Sequence, residues 1–130
     1  MYLFLDNSTE NEIVFFVFDS SKQIDKFSCF GKKAQKGPLV FFEELIKNKK
    51  IVFKKIKGIG VRIGAGRFTA TRVAVTFGNT LSYFLKKPII GLENFEVEDF
   101  LKKIKKTKKG IYLSAKYSGE ANIGKAKKCL

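Results

Sequence analysis

The sequence predicts an α/β domain: a mixed sheet with helices on both faces. Three observations predict it. Three strand-like segments open the chain, and helix-like and strand-like segments alternate after them, giving the order βββαβαβαβ. Two of the opening segments are apolar at successive positions, the pattern of strands covered on both sides. Finally, 130 residues with 45% hydrophobic content, 14 Phe among them, are enough for one domain with a real core.

The elements follow in order. YLFLD (2–6) reads as a short buried strand, and EIVFFVF (12–18) as a central one. The polar stretch NSTEN between them is turn-forming, so the two make a hairpin. KQIDKFSCF (22–30) is a third, half-exposed strand, and GKKAQKGP is a loop. Pro38 after Gly37 suits a first helical turn, so a helix is predicted over about 38–50. KGIGVR (57–62) is the fourth strand, with Ile59 and Val61 as its apolar positions. A glycine turn leads into a helix from about Thr69 to Lys87, ended by Pro88. IIGL (89–92) is a short strand. Asn94 is placed to cap a third helix, with acids in its first turn and lysines in its last, as the helix dipole favours. Val97, Phe100, Leu101 and Ile104 keep the i, i+3, i+4, i+7 spacing of its buried face. Gly110 breaks the pattern, and IYLSAKY (111–117) is read as a final strand. There is no internal repeat.

Composition excludes several chemistries. Histidine is absent, which removes histidine bases, histidine-containing triads and histidine metal sites from these 130 residues. Cys29 and Cys129 match no metal-ligand spacing and are expected to be free thiols, one in the core and one in the tail. No metal site and no cofactor is expected. The apolar runs are far shorter than the roughly 20 residues that span a bilayer. The opening MYLFLDNSTE lacks the basic start of a secretory signal, so no membrane association and a cytoplasmic location are expected. The net charge is +14, and from Lys102 onward there are ten lysines against one acid, Glu120. The three arginines, Arg62, Arg67 and Arg72, all fall around the glycine turn.

That turn, Gly64-Ala65-Gly66, stands between a strand and a helix N-terminus, a setting suited to anions. No Gly-Lys-Ser/Thr follows it, and it lacks the third glycine and the acid of a dinucleotide fingerprint. In the helix beyond, Ala70, Val73, Phe77, Leu81 and Phe84 make one apolar face, and Ala74, Gly78 and Ser82 make a stripe of small residues. A mid-helix glycine costs about 1 kcal/mol relative to alanine, so the stripe implies close approach by another element. That element is either this domain's own or a partner's helix.

The stretch GIGVRIGAGRFTATRVAVTFGNTLSYFLKKPIIGLENFE resembles the signature of the TsaB (YeaZ-type) family, subunits of the bacterial tRNA threonylcarbamoyladenosine system. Gly64, Gly66, Phe68, Thr69 and Arg72 stand at matching places, and LFLDNST resembles the family's opening strand, with Asp6 and Ser8-Thr9 in position. Ala65, Arg67 and Ala70 depart from the family's Pro, Ser and Gly, and KAQKGPLVFFEEL replaces the His-Ser-Glu that often opens its first helix.

The resemblance implies one lobe of the actin/hexokinase-like (ASKHA) fold, over 1–118, with 119–130 a basic tail or the remnant of a second lobe. It implies a non-catalytic scaffold that pairs with a TsaD-like catalytic subunit, or with a second copy, through helices 38–50 and 69–87. The catalytic paralogue carries metal-binding histidines, which this chain lacks. The expected interface residues are Phe42, Leu45, Ile46, Thr71, Ala74, Val75, Gly78, Ser82 and Leu85. Two other readings stand beside it. One is an RNA-binding module that contacts tRNA phosphates through Lys102, Lys103, Lys105, Lys106, Lys108 and Lys109. The other is a small nucleotide-binding protein of the same fold, holding phosphate with Asp6, Gly64, Gly66, Thr69 and Arg72. Nucleotide normally lies between two lobes in that fold, so the glycine turn is expected mainly to shape the strand-to-helix junction.

Overall fold

The computed structural model describes residues 1–114 except 10, 22 and 65–67. The strands are β1 (Tyr2–Asp6), β2 (Glu12–Phe18), β3 (Ile24–Phe30), β4 (Gly58–Arg62) and β5 (Ile89–Leu92). The helices are α1 (Lys32–Gln35), α2 (Pro38–Lys47), α3 (Phe68–Leu85) and α4 (Val97–Lys106), with a 3-10 turn at Phe53–Lys55. The strands form one sheet in the order β3-β2-β1-β4-β5. The first three pair antiparallel as a meander, while β1, β4 and β5 run parallel. This is the mixed α/β architecture that the sequence predicts.

Alternation along β1 builds two cores. Leu3 and Leu5 join Phe15, Ile59 and Val61 beneath α2 and α3. Phe4 joins Phe18, Ile90 and Leu92 beneath Phe100 and Ile104 of α4 on the opposite face. The glycines of β4 are explained by that second layer. A Cβ on Gly60 would lie 2.4 Å from the Phe100 ring and 2.6 Å from that of Phe4, so glycine lets α4 settle close onto the sheet.

Four expectations are corrected. Lys32–Gln35, read as loop, is a short helix, held on α2 by an ion pair between Lys33 and Glu44. Helix α2 ends at Lys47, with Lys49 in the left-handed region and its N–H bonded to Ile46 O. Glu96, not Asn94, is the N-cap of α4. Residues 111–114 form no strand, and the remainder of the predicted 111–117 segment lies outside the described residues, as do 118–130. Instead, Leu113 is fastened across α3. The Asn79 side-chain amide donates to Leu113 O at 3.0 Å, and Leu113 N–H donates to Asn79 Oδ1 at 2.9 Å. The Leu113 side chain packs against the α2/α3 core, so between α4 and Leu113 the chain passes from one face of the sheet to the other.

Candidate interaction surface

Helix α3 decides which residues can meet a partner. Thr71, Ala74, Val75, Leu81 and Ser82 are all buried in the chain's own structure. A Cβ on Gly78 would lie 2.6 Å from Val61 Cγ2 and 2.8 Å from Ile89 Cδ1, so this stripe is where α3 lies down on β4 and β5. The Ser82 hydroxyl donates to Lys87 O and ties off the helix end. Of the expected interface residues, Thr71, Ala74, Val75, Gly78 and Ser82 are therefore core positions. So are Phe42 and Leu45, whose α2 face packs under the sheet; Phe42 meets Phe15 and Phe77 ring to ring. Ile46 and Leu85 are partly buried at the edge of the same core.

The small side of α3 faces inward because small residues let the helix axis approach the sheet. The bulkier side then faces outward: Val73 is 42% exposed and Phe84 71%, although both were read as one face with the buried Leu81. The missed signal was in the spacing. Both sets keep three-and-four spacing, but Thr71, Ala74, Val75, Gly78, Leu81, Ser82 and Leu85 fill more positions of a buried seam than 70, 73, 77, 81 and 84 do. Helix α2 adds exposed Leu39, at 56%, and Val40. The outer faces of α2 and α3 thus carry large apolar side chains that this fold does not cover.

At the opposite end of α3, Asp6 closes β1. Its Oδ1 accepts from the Ser8 backbone N–H at 3.0 Å and from the Ser8 hydroxyl, and Oδ2 pairs with Arg62 at 3.1 Å. Arg62 Nε also donates to Glu93 O. Asp6 thus holds a turn and an arginine, and both of its oxygens are engaged. Gly64 takes φ +79°, in the left-handed region that favours glycine, and a Cβ there would meet the Glu93 side chain at 3.0 Å. A carboxylate beneath the turn opposes an anion. Gly66 lies outside the described residues. Thr69 helps line a cavity of about 260 Å³ with Asn7, Thr9, Pro38, Ala70 and Val73. Among the described residues Glu12 is the charged one of that lining, and an acid does not suit phosphate. Arg72 is exposed. On α4, Lys102, Lys103, Lys105 and Lys106 are exposed, and Lys103 lies 3.8 Å from Asp99; Lys108 and Lys109 follow the helix, also exposed.

Comparison with known proteins agrees with this architecture. The family model for TsaD, tRNA N6-adenosine threonylcarbamoyltransferase, matches residues 32–116, more than half of the sequence, and the chain belongs to that family. A tRNA N6-adenosine threonylcarbamoyltransferase of Clostridium kluyveri is 39% identical over 84 residues, covering 58% of this chain and 25% of the relative. One from Clostridium novyi is 35% identical over 57 residues, covering 44% and 17%. The chain spans a quarter or less of the length of these relatives. YeaZ from Pseudomonas aeruginosa has a similar fold, with a TM-score of 0.60 at 18% identity over 72% of this chain and 44% of that one. A second solved structure, described as an uncharacterized protein similar to peptidase YEAZ from the same organism, gives a TM-score of 0.58 at 18% identity. The fold is the one the TsaB-like resemblance implied, a mixed α/β domain like that of YeaZ. The family model and curated relatives carry the transferase's name, where the sequence resemblance pointed to the non-catalytic branch. Among the described residues no helix is long and apolar enough to cross a membrane, and no cluster of His, Cys, Asp or Glu could hold a metal ion.

Proposed function

We propose that this chain is a docking subunit for threonylcarbamoyl modification of tRNA adenosine, acting by binding a TsaD-like catalytic partner. The observation that carries the proposal is the uncovered apolar surface on the outer faces of α2 and α3: Leu39, Val40, Val73 and Phe84. Large apolar side chains left exposed mark candidate interaction sites, and aromatic anchors dominate binding energy when a partner desolvates them. The proposal keeps the two helices expected from the sequence and changes the residues on them. The tRNA-modification reading rests on the family membership, and the scaffold role on the lack of histidine in the 130 residues and the engagement of Asp6 by Ser8 and Arg62. It places the protein in the cytoplasm, where tRNA is modified.

The test is co-expression with the TsaD-family transferase of the same organism, followed by affinity capture and size-exclusion chromatography. Phe84→Asp combined with Val73→Asp should abolish co-elution while the circular dichroism of the chain is retained. Undiminished co-elution of the folded double variant refutes the proposal. A chain that forms a homodimer and ignores the transferase refutes the heterodimer.

A further inference from the structure

The topology gathers the lysines in a way that the sequence order hides. Strands β1, β4 and β5 are parallel, so every helix that returns to the sheet ends at the same edge, by the strand N-termini. Lys47, Lys49 and Lys50 follow α2 to that end, and Lys54, Lys55 and Lys57 lead into β4. Lys86 and Lys87 follow α3; Lys105, Lys106, Lys108 and Lys109 end α4 and follow it.

The first residues of β4 show this convergence. Lys57 N–H donates to Met1 O at 2.7 Å, and Ile59 N–H donates to Pro88 O at 3.0 Å. A Cβ on Gly58 would lie 2.8 Å from Ile104 of α4. Segments far apart in sequence thus meet around Gly58. All these lysines are exposed, and none forms an ion pair with another described residue. Among the described residues, Asp19 in the turn after β2 and Asp25 at the start of β3 are acids at this end; Asp19 is bonded to the Ser21 backbone and hydroxyl.

Two tyrosines stand on the flank of this cationic end. Tyr83, 65% exposed, precedes Lys86 by less than one turn of α3. Tyr112, 45% exposed, follows Lys108 and Lys109, and its neighbour Leu113 is bonded to Asn79, one turn before Tyr83. Lysines without arginines attract phosphates but offer no bidentate fork for base edges, while exposed aromatic rings stack on unpaired bases.

We propose that this end of the fold, from Lys54–Lys57 through Lys86, Lys87 and Lys105–Lys109 to Tyr83 and Tyr112, is a binding site for single-stranded RNA with little sequence preference. The choice of RNA over other polyanions rests on the tRNA-modification reading above. The site is larger than the 102–109 lysine run, and it adjoins the apolar α2/α3 surface at Tyr83, whose ring meets that of Phe84 edge to face.

The experiment is fluorescence anisotropy of the full chain with a labelled single-stranded RNA of about 15 nucleotides, the matching duplex, and phosphatidylserine vesicles, over a salt series. Single strands should bind most tightly. Lys86→Glu/Lys87→Glu should weaken binding and flatten the log–log salt slope by about 1.4, at 0.7 per lost phosphate contact. Tyr83→Ala/Tyr112→Ala should weaken single-strand binding at least about fivefold and leave the salt slope unchanged. Lys32→Glu/Lys36→Glu, at the two ends of α1 and at the other end of the sheet, should change neither by as much. Equal affinity for duplex, preference for vesicles, or equal loss from the Lys32/Lys36 variant overturns the proposal. Co-elution with the transferase, measured on the lysine variants and on Tyr112→Ala alone, is expected to persist. Absence of RNA binding by the wild-type chain with its co-elution intact sinks the RNA site alone, and absence of co-elution by wild type sinks the docking reading.

Discussion

Gly78 separates a buried seam from an open docking face, and replacing it measures which one α3 has. An alanine Cβ would sit 2.6 Å from Val61 Cγ2 and 2.8 Å from Ile89 Cδ1. Carbon atoms rest about 3.5–4.0 Å apart, so the overlap is on the order of 1 Å. Val61 and Ile89 are 0% and 2% exposed, and Val61 is β-branched and stiff, so neither can swing into solvent. Helix propensity favours Gly78→Ala by about 1 kcal/mol. Overpacking costs about 1–3 kcal/mol, and this clash belongs in the upper half of that range. The net expectation is a loss of about 1 kcal/mol for Gly78→Ala and about 3 kcal/mol for Gly78→Leu, by the same overpacking argument. For a domain of this size those losses lower Tm by roughly 4 °C and 12 °C. Far-UV circular dichroism, in urea and on heating, is the assay, since the chain has no tryptophan. If Gly78→Ala is as stable as wild type or more so, and Gly78→Leu melts normally, then α3 does not lie on β4 and β5. The small stripe would then be free for a partner.

Two further outcomes are expected. Asn79→Ala removes both hydrogen bonds to the Leu113 backbone, at about 1 kcal/mol each by the usual net value; hydrogen exchange should show Leu113 N–H losing protection while β4 keeps its own. Burial pushes the Cys29 thiol above its ordinary pKa of 9.0, against the pull of Lys33, so the folded state prefers the neutral thiol. That contribution is complete below pH 9.0 and is lost as pH rises past it, so the urea midpoint should fall more steeply above about pH 9 in wild type than in Cys29→Ala.

Much of the fold was legible because strand and helix periods write themselves into side-chain order. β1, β2 and β5 lie where the apolar runs placed them, and Val97, Phe100, Leu101 and Ile104 face the sheet or its margin from α4. The site was less legible. The failure lies in α3, which carries apolar or small residues on most of its circumference. A pattern of that kind says that the helix is covered somewhere without saying on which side. The terminal segment failed for a different reason. IYLSAKY has strand-like residues, but Leu113 takes its hydrogen bonds from an asparagine on a distant helix, a partner that no local pattern reveals.

What the sequence determined alone was the α/β class, the order of the five strands and three longer helices, the exclusion of histidine chemistry from these residues and the TsaB-like resemblance. The tertiary structure decided which face of α3 is buried, because only the actual separation of helix and sheet shows that Gly78 has no room for a side chain. It also decided where the charge collects. Parallel strands send every returning helix to one end of the sheet, so lysines scattered from 47 to 109 in sequence collect at that end.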